Sequence, residues 1–438
     1  MTNTLNCHLQ VVFETGLDLD TQELILAGYQ RVSARVAASL LPTGDGRGTI
    51  LPAAGGLAIS ARTRRGSPLV PAWFTDLPLP LPTTSSDEVP AEVALNVDRC
   101  TLRFFDYGVA IALLDGQVTM TDQTKTPTTP EFVRSVELFS DTLPSRLIEV
   151  ATAKVAELRA AVLAVKGSLV LDDLLDREMR ETRGLAGSSR VNALWVHRIL
   201  ALPQLPSDDE FRHLTAVNRG QTVTFESDDR GTFHFYPGQG TSLVVSDSAQ
   251  IPAEIVEPLA LLNAYYAGST KYDEAVFSGI SQLQAISRGR GRYGARAKAD
   301  EILAMQERVL LFRATVDHQA HNLSPQEQSV WQRTSAAWNL QPLIDGVASN
   351  AATLDRLFQH VAESRRFEQA QRLSFIIVIF TAASILGVAA ALFPIVDQEP
   401  AHLPVLQRIL VFTALVFIPL VTIGFVSMLI WQARRVRK

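Results

Sequence analysis

Three hydroxyl residues, Ser374, Thr381 and Ser384, fall at spacings of 7 and 3 inside a long uncharged apolar stretch, so on a helix they share one face. Such a face inside hydrocarbon has two uses. It contacts the waters of a hydrated ion in a pore, or it lets helices approach closely, since small residues are favoured at helix contacts in lipid. Gly387 and Ala391 narrow that face, and Ile377, Val388 and Ile395 supply apolar rings of the kind that gate conduction by dewetting. Just past them stand Asp397 and Glu399. In an oligomer these carboxylates form a ring that concentrates cations; in a single chain they are a solvated loop.

Other groupings have the types that chemistry requires. The run RGRGRYGARAK carries Arg288, Arg290, Arg292, Arg296 and Lys298, and its Gly289, Gly291 and Gly294 match G-x-G-x-x-G. A dinucleotide fold needs a strand before that motif, whereas SGISQLQAI upstream reads as helix. What remains is a basic loop opening onto a helix N-terminus, which suits an anion such as a nucleotide messenger, with Tyr293 available to stack on a base. The plain alternative is a solvated linker. Asp317, His318 and His321 lie close on one helix, and a His pair at i, i+3 can share a metal, but no third ligand is evident. The acidic cluster Asp172, Asp173, Asp176, Glu178 and Glu181 is interleaved with Arg177, Arg180 and Arg183, the pattern of ion pairs on a helix surface. There is no G-x-S-x-G, Walker A loop, H-E-x-x-H or paired C-x-x-C, so neither an enzyme nor a resident cofactor is expected.

The elements that must position these residues follow from where the apolar material lies. The chain has 438 residues, 47% hydrophobic and 19% charged. Its mean hydropathy of +0.12 is high for a soluble protein. Residues 373–396 carry no formal charge, and neither do residues 409–431, so each is long enough to cross a bilayer as a helix. The link 397–408 between them forces an antiparallel hairpin. Arg365, Arg366 and Arg372 precede the first span, while the tail 432–438 carries Arg434, Arg435, Arg437 and Lys438. The positive-inside rule then puts both termini in the cytoplasm. The N-terminal MTNTLNCHLQ has neither the basic nor the apolar region of a cleaved signal peptide, and a bacterial inner (plasma) membrane protein is expected. Cys7 and Cys100 are too few for a disulfide scaffold and are expected reduced, and a net charge of -5 argues against DNA or RNA as a partner.

Residues 1–250 read as a mixed α/β domain: a strand over 8–13, a helix over 21–41, a Pro/Gly-rich loop over 42–95 with one strand near 56–63, and a hairpin turning at Asp115 and Gly116. A helix over 130–165 follows, then strands in NALWVHRILAL, QTVTFESDDRGTFHFYP and TSLVVSD. Residues 251–336 read as helices broken near 289–294 and 323–325. Over 337–372 a seam of Leu340, Ile344, Val347, Ala351, Leu354, Phe358 and Val361 alternates spacings of 4 and 3. One continuous helix is predicted from Trp338 to Phe393. Its seam packs on other helices of the chain or forms an oligomeric stalk, and its run into the apolar stretch favours the stalk. The fold class is α+β (α/β/α), followed by the stalk helix and two transmembrane helices.

This plan resembles the CorA-type magnesium and divalent cation channel superfamily, from about residue 100 to 438. The resemblance implies a homopentamer with cytoplasmic domains forming a funnel, a pore lined by the first span, and magnesium as the transported or regulatory ion. It also implies a cation-sensing role for the acidic cluster at 172–181. The family's Gly-Met-Asn at the end of the first span is absent; Phe393, Pro394 and Ile395 stand in that region. An apolar mouth lacks the oxygen acceptors a hydrated hard cation needs. The expectation is therefore a divalent cation channel with an altered mouth, or alternatively a nucleotide-gated CorA-like membrane effector of an antiphage signalling system.

Overall fold

The computed structural model describes residues 4–20, 51–52, 73–77, 93–120, 130–170, 191–204, 222–227, 231–246, 250–287 and 295–397, with single positions at 23, 26, 32, 35 and 36. The chain divides into two compact units, Met1–Asp355 and Arg356–Lys438.

Among the described residues, nine strands build the sheet of the first unit. They are β1 (Thr4–Asp18), β2 (Leu51–Pro52), β3 (Trp73–Asp76), β4 (Val93–Phe105), β5 (Tyr107–Met120), β6 (Asn192–Leu202), β7 (Val223–Ser227), β8 (Gly231–Tyr236) and β9 (Thr241–Val245). Their order is β2-β3-β4-β5-β1-β6-β9-β8-β7. Every described pairing is antiparallel except β6 with β9. The helices are α1 (Pro130–Val165), α2 (Ala253–Ser287), α3 (Ala295–Asn322), α4 (Pro325–Ala337) and α5 (Leu340–Asp397).

The central strand β1 shows how the sheet is sandwiched. Successive side chains on a strand point to opposite faces. Leu5, Cys7, Leu9, Val11 and Phe13 go to one face and join a core with Leu143, Leu147, Ala151, Val155, Leu158 and Val162 of α1, whose spacings of 4 and 3 put them on one side of that helix. The alternate residues His8, Gln10 and Glu14 go to the other face and are buried as well. That face meets α2, so the layering is α/β/α. Both cysteines lie buried in the first layer as free thiols, and burial pushes each thiol up to about 12.

Two local expectations need correction. The β4–β5 hairpin turns at Asp106, not at Asp115 and Gly116: Gly108 has φ of 74°, and Asp115 and Gly116 lie inside β5 opposite Arg99 and Val97. The Asp-Gly pair mimics a turn signal, but the apolar alternation continues straight through it. Gly116 serves a close approach, because a Cβ there would sit 2.3 Å from the Asn96 carbonyl oxygen beside a bulge. The Pro/Gly-rich segment contributes β2 and β3, and β4 begins within its last residues; the strand expected at 56–63 lies outside the described residues. In the helix expected over 21–41, the described positions are helical, with Val32 and Val36 buried and Leu26 exposed.

Candidate functional site

The apolar half of α5 is the candidate site, and the residues before it fix where that helix starts. Ser324 caps α4: its hydroxyl accepts from the Glu327 amide, the Glu327 carboxylate accepts from the Ser324 amide, and Pro325 occupies the first turn. The helix ends at Trp338, whose indole N–H donates to the Gly238 carbonyl at 2.9 Å and whose ring lies 5.2 Å from the His197 ring. Asn339 then takes φ of 52°, the left-handed region that Asn tolerates better than most residues, and the chain re-enters helix at Leu340. Burial holds His197 neutral, its pKa pushed down to about 3, while the Ser242 hydroxyl contacts its Nε2 at 3.1 Å.

The first part of α5 is buried within its own chain. Leu340, Ile344, Val347, Ala351 and Leu354 are each at most 2% exposed. Leu354 presses on Gly279 of α2, Asn350 donates to the Asp273 carboxylate at 3.1 Å, and Arg313 of α3 pairs with Asp345 at 2.9 Å. The seam predicted as a stalk contact is thus occupied up to Leu354 by the chain's own helices, which corrects the assignment of those five residues to an oligomeric stalk. Phe358 and Val361, in the second unit, are half-buried.

The second part of α5 has a different surface. Leu373, Phe375, Ile376, Ile377, Ile379 and Phe380 are 48–70% exposed, and at 100° per residue they cover rather more than half of the helix circumference, with Ser374, Val378 and Thr381 on the remaining side. Ser374, Thr381 and Ser384 are exposed too, and the Thr381 hydroxyl donates to the Ile377 carbonyl at 2.8 Å. The backbone of Val388, Ala391, Ile395 and Asp397 is helical; their side chains lie outside the described residues, as do Glu399, the second apolar run 409–431 and the tail. Among the described residues no helix is long and apolar enough to cross a membrane. The unbroken described side chains of the uncharged run reach only from Leu373 to Ala382, about half of a span, while the helical backbone carries that run on to Asp397.

The other predicted groupings lie largely outside the described residues. Arg288, Arg290 and Arg292 lie outside the described residues, whereas Arg296 and Lys298 occupy the first turn of α3. The acidic cluster over 172–181 also lies outside them. Asp317, His318 and His321 are exposed on α3 and gather no further ligand; among the described residues no group of His, Cys, Asp and Glu is arranged to hold a metal.

A buried polar layer between β1 and α2 went unpredicted. Asn263 donates to the Gln10 carbonyl oxygen at 2.8 Å and accepts from the Trp195 indole at 3.0 Å, while Gln10 donates to the Val256 carbonyl at 3.2 Å. Lys271 holds both Asp18 oxygens at 2.8 Å, with the pair only 3% and 2% exposed. His8 Nδ1 bonds Asp115 at 2.6 Å, and this bond holds the Asp115 carboxyl below its ordinary value against the opposing effect of burial. Burial works to raise Glu257, but two hydrogen bonds from Arg103, at 2.5 and 2.6 Å, and its charge outweigh burial and lower it. The signal was present in β1, where His8, Gln10 and Glu14 alternate with apolar residues as on a half-solvated strand. Only the position of α2 shows that this face is covered.

No known family model matches the chain, and no curated protein is similar to it. Among solved structures the chain is similar to the complete structure of CorA magnesium transporter from Methanocaldococcus jannaschii, with 12% identity and a TM-score of 0.26 over 55% of this chain and 95% of that one. A TM-score that low carries no structural argument.

Proposed function

We propose that the chain is a membrane protein, that α5 and the apolar run 409–431 form its two spans, and that several copies surround a pore for divalent cations lined by Ser374, Thr381 and Ser384. One observation carries this reading: α5 leaves a protein-covered segment and continues as helix with six large apolar residues exposed over more than half of its circumference and the hydroxyls of Ser374 and Thr381 on the rest. Leaving six such side chains half in water forgoes on the order of 5–10 kcal/mol of burial, comparable with the whole stability of a domain. Lipid, with neighbouring copies, recovers it. The hydroxyls offer contacts to hydrated ions, and the carboxylates at 397 and 399 raise local cation concentration at the mouth.

The test is ion flux into proteoliposomes holding the purified chain, with magnesium, cobalt and potassium supplied separately. Divalent flux that Thr381→Val reduces several-fold supports the reading. No divalent flux at any concentration contradicts it. The basic run 288–298, which joins α2 to α3 and ends in the first turn of α3, favours a second reading in which a nucleotide opens the pore as part of a defence signal. Silence until a nucleotide is added, followed by unselective leakage, would replace the first reading by that one.

A further inference from the structure

We draw no further inference here: the strongest candidate, the exposed apolar face of helix α3 at Leu303 and Leu310, carries nothing because nothing in the structure shows what covers it.

Discussion

Replacing Lys271 by Met removes one member of an ion pair that water does not reach. The ammonium sits 2.8 Å from both Asp18 oxygens, and the variant leaves a buried carboxylate whose compensating charge is gone. Breaking such a pair costs about 3–5 kcal/mol, because the remaining ion keeps its desolvation penalty. A domain has about 5–15 kcal/mol to lose, so Lys271→Met should bring the first unit close to unfolding at 25 °C. The same reasoning makes the double variant Asp18→Asn with Lys271→Met recover more than half of that loss, since no uncompensated charge then remains. Equilibrium urea unfolding of the full chain in detergent, followed by fluorescence of the buried Trp331 and Trp338, measures both. A Lys271→Met cost under about 1 kcal/mol, or a double variant as unstable as the single one, would refute the assignment of this pair as a desolvated ion pair.

Further outcomes follow from other residues. Gly108 has φ of 74°, and a Cβ there would lie 2.3 Å from the Lys271 Nζ, so Gly108→Ala should destabilise by about 1–3 kcal/mol in the same unfolding assay. Because His197 is held neutral down to about 3, the unfolded chain binds its proton first as pH falls. Stability should therefore drop between about pH 6.5 and 3, at up to about 1.4 kcal/mol per unit, and His197→Gln should flatten the slope in pH-dependent thermal melts. Asp115, lowered by its bond to His8, contributes stability above its ordinary value that is lost as pH falls through the lowered one, so Asp115→Asn should reduce acid sensitivity below about pH 4 in those melts. Leu354→Ala, which opens space beside Gly279, should cost about 2–5 kcal/mol and loosen amide protection at the start of α5 in hydrogen exchange.

Periodicity made the helices legible. The bounds of α1 and β6 match the sequence reading, because an apolar stripe at helical spacing dominates the one and a short, mostly apolar run containing Trp195, Val196 and Ile199 the other. Helix α5 was legible too, since Pro342 falls in its first turn, where proline is tolerated, and no further proline stands before Pro394, one turn from its end. The hairpin turn was misread because two turn signals compete, and only the partner register distinguishes Asp106–Gly108 from Asp115–Gly116. The seam's partner was illegible for a physical reason: a stripe states that something apolar covers it, and Leu354 against Gly279 shows that a helix of the same chain does so. The polar layer was hidden for the complementary reason. Gln10, Asn263 and Trp195 satisfy one another across more than 250 residues of chain, and no local pattern announces such a match.

Membrane insertion of α5 is the central claim, and thiol accessibility in intact cells tests it most directly. Gln371→Cys and Glu399→Cys flank the uncharged run, and the native thiols are buried. The account predicts that a membrane-impermeant maleimide labels position 399 from outside intact cells, or spheroplasts where an outer membrane intervenes, and labels position 371 only after permeabilisation. Equal labelling of both positions before permeabilisation, or release of the full chain from membranes by alkaline carbonate, would contradict it.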